Sequence, residues 1–326
     1  EMPQPTQSQV HVDAILTNIS VAYMQQAENF IADKVFPIVP VDKQSDKYFK
    51  YTKNDWLRDE AQVRADGTES VGSGYNITTE TYYADVYAIH KDVGDQTRAN
   101  ADAPINVDRE AAEFVTHRLL LRRELQFVSD YMTGGVWGTT ASGVASGAST
   151  GEFVQWDNYT DSDPIDDIEE AKAEILSVTG MQANTLVLGY DVFRSLKHHP
   201  DLVDRIKYTS SQTITEDMLA RMFDIDRVLV SKAIRATNAE GASEAYSFAT
   251  GKTALLAHVA PNPGLLTPSA GYHFQWTGVS QGLGATIGTS SFRLESLKAT
   301  RIESEIAFDN KVVGADLGYF WQTAVS

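Results

Sequence analysis

The chain has 326 residues, 42% apolar and 22% charged, a composition that supports a folded protein with a substantial core. Its 27 basic and 44 acidic side chains give a net charge of −17, which opposes general binding to nucleic acid or an anionic membrane. The absence of cysteine excludes disulfides, thiolate catalysis and cysteine-based zinc sites, and the sequence contains no long apolar run and no signal peptide.

The first 44 residues predict an arm rather than a core element. Residues 1–20 are polar and rich in Gln. A short helix is predicted over 20–34, with Ser20 as its cap. Pro37 and Pro40 then impose an extended path.

Residues 45–95 predict a long β-hairpin. Its first strand opens with Tyr48, Phe49 and Tyr51, its return strand spans 77–89, and a polar tip over 58–74 joins the two. An isolated hairpin is only marginally stable in water, and so long a loop is uncommon in a compact domain. We therefore expect the hairpin to be braced by another molecule, because its aromatic strands argue against the alternative of disorder.

Residues 106–133 predict one helix of unusual length. It opens after Pro104 with a capping region at Asn106 and stops at Gly134. About 25 residues make a rod of about 37 Å, roughly twice the ordinary helix length. The predicted apolar stripe contains Phe114, Leu121, Leu125, Val128 and Met132. The predicted polar side contains Arg118, Arg122, Arg123 and Glu124. The helix is either the backbone of an elongated subunit or the longest helix of a compact domain.

A run of small residues follows over 138–151 and predicts a flexible loop or an ordinary disordered linker. Apolar residues on either side are expected to pair as strands and hold its ends together. They are Val136, Trp137, Phe153, Val154 and Trp156.

Residues 164–268 predict a compact α/β unit inserted between β-rich parts. Its first helix is capped by Asp163, begins with Pro164 and ends at Gly180. The predicted buried face of that helix contains Ile165, Ile168, Ile175 and Leu176. The remaining predicted elements are a strand at 184–189, helices at 190–197, 200–207 and from Thr215, and strands at 227–230 and 254–258.

The tail, 271–326, returns to β-structure. Alternation of apolar and polar residues over 302–306 predicts long antiparallel strands, and the stretch 312–321 closes the chain. Together these patterns predict an α+β fold with a split β-rich part.

Three glycine-containing motifs fail as catalytic or nucleotide sites. Gly278 to Gly282 matches G-x-S-x-G around Ser280, but no helix is predicted after it and the last histidine, His273, precedes it. Gly251-Lys252-Thr253 resembles the end of a phosphate loop, yet Tyr246 stands where the first glycine belongs, so a turn before a strand is favoured. The third motif has the wrong spacing for a dinucleotide fingerprint: Gly282, Gly284 and Gly288.

Metal sites are not indicated either. Asp161, Asp163 and Asp166 imitate part of a calcium loop, but Asp166 and Lys172 occupy the positions of its glycine and glutamate, so helix capping explains them better. The histidines are scattered: His11, His90, His117, His198, His199, His258 and His273. The sequence therefore predicts no catalytic, cofactor-binding or metal-binding residue and a protein that is not an enzyme.

The order of parts resembles the major capsid proteins of tailed bacteriophages, which have the Hong Kong-97-type (Johnson) capsid fold. The resemblance is most specific over 184–208, where a strand, a short helix and the motif His199-Pro200-Asp201 opening a second helix are similar to the axial domain of that family. The end of the chain, 312–321, is similar to the family's closing peripheral-domain strand. The resemblance covers essentially the whole chain in element order.

This resemblance implies a division of the chain. The N-terminal arm would be 1–44 and the extended loop, a β-hairpin, 45–95. A peripheral domain would contain 96–163, with a spine helix at 106–133, and the returning strands 271–326. The axial domain would be 164–270.

The function implied is a structural protein of the virion that self-assembles as pentamers and hexamers into an icosahedral head enclosing double-stranded DNA, assembled in the cytoplasm of a bacterial host. Its partners would be copies of itself, with scaffold, portal and decoration proteins, and it would bind neither DNA sequence-specifically nor a membrane. A separate scaffold protein, or a segment cleaved before Glu1, is expected because little chain precedes the spine helix. Lys47, Lys50 and Lys53 lie near the base of the loop, which gives no basis for the covalent crosslinks that some family members form. Two alternatives stay open: an encapsulin-type nanocompartment shell, and an α/β enzyme using 164–268.

Overall fold

The structure is a computed structural model that describes residues 25–101, 105–206, 214–264, 266–278 and 287–326. Expectations about residues 1–20, Ser20, Pro104 and Ser280 lie outside the described residues. The α-helices are α1 (Ala32–Val35), α2 (Lys53–Leu57), α3 (Asp95–Asn100), α4 (Val107–Tyr131), α5 (Pro164–Thr179), α6 (Tyr190–His198), α7 (Pro200–Ile206) and α8 (Glu216–Met222).

The strands lie between these helices and, from Arg227 onwards, after the last of them. They are β1 (Ile38–Val41), β2 (Ser45–Tyr51), β3 (Ile77–Tyr83), β4 (Asp85–Gly94), β5 (Thr139–Val144), β6 (Glu152–Val154), β7 (Thr185–Gly189), β8 (Arg227–Ser231), β9 (Ile234–Ala236), β10 (Tyr246–Phe248), β11 (Ala254–Ala257), β12 (Gly271–Trp276), β13 (Gly288–Leu294), β14 (Ala299–Val312) and β15 (Gly318–Gln322).

A five-stranded sheet is organised around the long strand β14. Its order is β1-β12-β14-β13, and β4 also pairs with β14. The first part of β14 lies between β4 and β13, and its last part pairs with β12. Ile302, Ser304 and Ile306 are buried, which confirms the predicted alternation.

A six-stranded sheet has the order β6-β5-β15-β11-β7-β8. It thus combines strands that the sequence-based division assigned to different parts, because β15 pairs with both β11 and β5. The cause lies in Phe320 and Trp321, which are 0% and 1% exposed and belong to the cores on opposite faces of the sheet. A strand buried on both faces belongs inside a sheet, so Gly318–Gln322 joins the strands of the inserted unit rather than the five-stranded sheet.

The predicted flexible loop at 138–151 contains an ordered strand. β5 occupies six residues of the run, and it pairs with β6 in parallel. Small residues suit this position because a Cβ at Gly143 would lie 2.0 Å from the carbonyl oxygen of Thr323. The small residues therefore permit close packing here instead of producing mobility.

Helix α5 matches its prediction at both ends. The Asp163 side chain accepts hydrogen bonds from two backbone N–H groups in the first turn, and Gly180 ends the helix with φ of +72°. Ile165, Ile168 and Ile175 are buried as expected, whereas Leu176 is exposed.

The long helix α4 also forms as predicted, with the Asn106 side chain accepting from the backbone N–H of Arg109. Of the predicted stripe, Met132 is buried and Leu121, Leu125 and Val128 are partly buried, but Phe114 is 42% exposed. The fully buried apolar residues of the helix itself are Val107, Ala111, Val115, Leu119, Phe127 and Tyr131. The first four pack on the five-stranded sheet, and the last two join the core of the six-stranded sheet. The helix therefore connects the two sheets.

Arg123 and Glu124 were placed on the polar side of α4, but both are buried. Glu124 accepts hydrogen bonds from the backbone N–H groups of Ile31 and Ala32 and from the hydroxyl of Ser231, each at 2.9 Å. Burial raises the pKa of the Glu124 carboxyl, and these hydrogen bonds oppose that effect. Arg123 forms an ion pair of 3.0 Å with Asp33.

The hydrogen bonds of Glu124 also explain why the N-terminal segment does not form the single predicted helix. In the described part of the predicted helix at 20–34, a 3-10 turn at Ala27–Asn29 and the short α1 replace a single helix. Glu124 binds the N–H groups at the start of α1, so the chain begins a new helix there. After it, β1 pairs in parallel with β12.

His273 on β12 is 2% exposed and stacks on Phe308. Its Nδ1 lies 2.7 Å from the amide oxygen of Asn310, whose amide nitrogen donates to Asp130. His273 Nδ1–H is therefore the donor, and the ring is neutral. Burial lowers the pKa of His273 to about 4, and nearby Arg123 contributes to the same direction.

We predict that Glu124→Ala lowers the free energy of unfolding by about 3 kcal/mol or more, because it leaves three buried donors without an acceptor. Chemical denaturation measures the change. The matched control is Glu113→Ala on the same helix, whose partly exposed ion pair with Arg109 should contribute less than about 1 kcal/mol. Equal effects of the two variants would contradict the role assigned to Glu124.

We also predict that acid destabilises the chain through His273. Its folded-state pKa of about 4 lies below its ordinary 6.5, so the stability it contributes is complete above pH 6.5 and is lost as the pH falls through 4. At pH 5 the loss should be roughly 2 kcal/mol, and His273→Gln should remove it. Urea midpoints at pH 7 and pH 5 test this. The exposed control His198→Gln should retain the loss, and an unchanged pH dependence in His273→Gln would refute the assignment.

Candidate assembly surface

The predicted hairpin forms, but its return strand is divided. β2 pairs with β3 from Ser45↔Tyr83 to Tyr51↔Ile77 as a separate two-stranded sheet. At the fully buried Ala84 the chain turns, and β4 continues in the five-stranded sheet. We call β2 and β3 the ribbon and residues 52–76 the distal loop.

The base of the ribbon is held by its own chain. Tyr82 stacks on Phe274 at 4.7 Å between ring centres, and Tyr48 lies 5.4 Å from the same ring. Phe274 belongs to the five-stranded sheet, on the face opposite to His273. These rings fix the direction in which the ribbon leaves the body.

Polar contacts support the same base. The Tyr48 hydroxyl donates to Glu80 at 2.6 Å, and Lys50 pairs with Glu80 at 2.8 Å. Burial and the hydrogen bond to Glu80 raise the pKa of Tyr48. Hydrogen bonds from Lys50 and Tyr48 lower the pKa of Glu80. Glu80 therefore stays ionised while it joins the two strands.

The ribbon and the distal loop expose large apolar side chains. Tyr51, Trp56 and Tyr75 form an aromatic cluster with ring centres 5.3 to 6.0 Å apart, yet Trp56 is 52% and Tyr75 57% exposed. Further exposed apolar residues are Phe49, Leu57, Val63, Val71, Ile77 and Tyr83. A concentration of exposed apolar surface on one projection is typical of an interaction site.

The distal loop has little support from the body. After α2 it contains no helix or strand up to β3. Its polar contacts are mainly local, such as Arg58 with Glu60 and Asn76 with Asp55. Lys53 pairs with Asp316 of the body, but the two side chains are 39% and 50% exposed, and such a pair contributes at most about 1 kcal/mol. The loop therefore needs a further partner to be well fixed.

The three lysines considered for crosslinking lie on or next to the ribbon. Lys47 is exposed on β2, Lys50 pairs with Glu80, and Lys53 pairs with Asp316. The structure places none of them in the central part of the distal loop.

The other sequence candidates do not converge. In the Gly278 to Gly282 motif, residues 279–282 lie outside the described part. Gly251 has φ of +67° and forms the predicted turn before β11. Asp163 caps α5.

Two histidines of the inserted unit contact protein groups. His199 is buried against Ser162 at 3.0 Å, and His258 approaches the carbonyl of Gln182. In the described ranges, no group of three or more His, Cys, Asp or Glu side chains is arranged to hold a metal ion. No helix among the described residues has the length and apolar character to cross a bilayer.

Sequence reasoning identified the ribbon but missed its anchor, Phe274. That residue follows Tyr82 by nearly two hundred positions, and no local pattern links the two. The available signal for this anchor was the stretch Gly271–Trp276, because a strand rich in aromatic residues is expected to form ring contacts with its neighbours.

Comparison with known proteins gives consistent results, although no protein-family model matches the chain. It is 26% identical over 321 residues to the major capsid protein of Burkholderia phage BcepMu, covering 94% of this chain and 95% of that protein. A phage-related protein from Bordetella bronchiseptica superposes with a TM-score of 0.67 at 23% identity, covering 92% of this chain and 94% of that one.

Two assembled shells have the same fold. The capsid of cyanophage P-SCSP1u superposes with a TM-score of 0.60 at 9% identity, covering 95% of this chain and 92% of that one. The SrpI encapsulin of Synechococcus elongatus gives 0.58 at 11% identity, covering 95% and 93%. These likenesses confirm the predicted α+β fold class.

We predict that Phe274→Ala releases the base of the ribbon, because it removes the ring on which Tyr82 and Tyr48 pack. Stability should fall by about 3 kcal/mol, and limited proteolysis within 45–83 should become faster. Phe49→Ala, at a ribbon residue that is 60% exposed, is the matched control and should change stability by less than about 0.5 kcal/mol. Unchanged cleavage in Phe274→Ala would contradict the anchoring role.

Proposed function

We infer that this chain is a major capsid protein of the tailed-phage type, with the Hong Kong-97-type capsid fold. It is a structural protein of the virion, and its role is to build the shell. The observation that carries the inference within the molecule is the ribbon, a projection with a fixed base and an unsupported apolar end. Homology to a phage major capsid protein along nearly the whole chain supports the same conclusion.

Self-assembly follows from that ribbon. The exposed aromatic cluster at the end of the ribbon gains stability when a second copy covers it. Because every copy has both this projection and the surface that receives it, the contact repeats around a closed symmetry. Many such interfaces, each of moderate area, add up to the pentamers, hexamers and icosahedral shell of a phage head.

The division into parts is proposed in a form that respects the observed sheets. The arm is 1–44 and the extended loop 45–95, although β1 and β4 within these ranges also belong to the five-stranded sheet. The spine helix is α4. The axial part is the six-stranded sheet with its helices, so it takes in β5, β6 and β15 besides 164–270. The peripheral part is the five-stranded sheet with the first half of α4.

The further partners are also proposals. A scaffold protein, a portal and decoration proteins would act on the shell, which would enclose double-stranded DNA without sequence-specific binding. The net charge of −17 supports weak adhesion of DNA to the shell. An encapsulin-type shell shares the fold, but the similarity to the encapsulin is 11% identity against 26% to the phage protein. The phage function is therefore favoured.

We predict that removing 57–74 and joining the flanks by a short Gly-Ser linker abolishes shell formation while the subunit still folds. The loop has few contacts with the body, so the unfolding midpoint should change little. Negative-stain microscopy and light scattering measure assembly. Val178→Ala replaces an exposed apolar residue on α5 and serves as the assembling control. Normal shells from the deletion variant would refute the assembly role of the distal loop.

A further inference from the structure

A set of buried polar side chains lies where α4 passes from one sheet to the other. Arg123 stands between Leu119 and Phe127 on one face of the helix, because residues four apart share a face. Leu119 packs in the cluster of Phe308 in the five-stranded sheet, and Phe127 belongs to the core of the six-stranded sheet. Arg123 is only 2% exposed, so its guanidinium lies between two apolar cores.

Two further side chains belong to the same place. Asp33 of α1 forms its 3.0 Å ion pair with Nη2 of Arg123. His273 of β12 is equally buried, and its ring stacks on Phe308. Burial lowers the pKa of His273, Arg123 lowers it further and Asp33 raises it, so both charges lie close to the ring. We call Asp33, Arg123 and His273 the buried polar site.

The buried polar site contains atoms that lack a hydrogen-bond partner. Within the described residues five buried side-chain nitrogen and oxygen atoms are in this position, and four of them belong to these three residues. They are Arg123 Nε and Nη1, Asp33 Oδ1 and His273 Nε2. Buried polar groups nearly always have a partner, because an unpaired group costs the full free energy of its desolvation. Four unpaired atoms in one place therefore indicate a bound molecule.

The mixture of donors and acceptors selects the kind of molecule. Both Arg123 nitrogens are donors, and the Asp33 carboxylate oxygen is an acceptor. His273 Nε2 is also an acceptor, because Nδ1 carries the proton and donates to Asn310. A small anion would match only the donors and would meet the Asp33 carboxylate, whereas a metal cation would match only the acceptors and would meet the guanidinium. Water both donates and accepts, so it serves all four atoms.

We propose that the buried polar site binds ordered water, which accepts from Arg123 and donates to His273 Nε2 and Asp33 Oδ1. Among the described residues no direct hydrogen bond joins His273 to Arg123 or Asp33, so the water is the link between them. Glu124, the next residue of α4, already binds the start of α1. The water extends this attachment from α1 to the five-stranded sheet, and this role is independent of the capsid function.

A crystal structure of the full chain, at a resolution that shows ordered water, tests the proposal directly. We expect density within hydrogen-bond distance, about 2.7 to 3.2 Å, of His273 Nε2 and of an Arg123 nitrogen. Crystals soaked in bromide distinguish water from an anion, because only an anion site acquires the anomalous signal of bromide. An empty site, a bromide peak, a metal ion, or protein atoms that fill the site would each overturn the proposal.

Two substitutions of His273 form a matched pair. His273→Asn keeps a donor near the position of Nδ1 and removes the acceptor at Nε2, whereas His273→Gln keeps an acceptor near Nε2 and removes the donor to Asn310. The density should disappear in His273→Asn and persist in His273→Gln. Any other pattern would remove His273 from the site. If either variant fails to fold, the structure of the original chain still decides the proposal.

A double-mutant cycle measures the link in solution. Arg123→Lys keeps a charge for Asp33 but removes Nε and Nη1, and it is combined with His273→Asn at pH 7. The two should be coupled by about fivefold in the unfolding equilibrium constant, because each removes one side of the same water bridge. The control replaces Arg123→Lys by Arg122→Lys, at the exposed neighbouring position, which should be additive with His273→Asn within about twofold. Additive effects in both cycles would contradict the bridge.

Discussion

The buried carboxylate of Glu124 is the interaction on which the rest of the structure depends. It lies midway along α4, between the half that packs on the five-stranded sheet and the half that enters the core of the six-stranded sheet. Its hydrogen bonds join three distant segments, because Ile31 and Ala32 belong to the N-terminal part and Ser231 to the six-stranded sheet. A carboxyl group without solvent requires all of these partners at once, so the bond set fixes the N-terminal segment and the six-stranded sheet against the helix.

The packing of the body determines where the ribbon leaves it. Phe274 belongs to the five-stranded sheet that α4 covers on its other face, so the direction of the ribbon follows from the packing of the body. The same chain then leaves Trp56 and Tyr75 largely exposed, since none of its own elements covers them within the described residues. Rigid support at one end and unsatisfied surface at the other are the properties that favour assembly over independent function.

The parts of the fold that were predictable are those with local causes. Asp163 and Gly180 mark the ends of α5 through their own side-chain and backbone preferences, and Ile302 to Ile306 show the period of a half-buried strand. The parts that were missed depend on distant contacts. In the sequence alone Glu124 resembles a surface residue, because its hydrogen-bond partners lie some 90 and 107 positions away. The ribbon was predicted by its composition, whereas Phe274 and the buried polar site around Arg123 became visible only when remote segments met in space.

The central claim is that the distal loop is completed by a second copy of the chain. Hydrogen exchange of the backbone amides of residues 52–76 tests it most directly, in the isolated subunit and in the assembled shell. The account predicts rapid exchange in the isolated subunit and strong protection in the shell, while amides of the six-stranded sheet are protected in both. Equal protection of the loop in both states would contradict it, because the loop would then be held by its own chain.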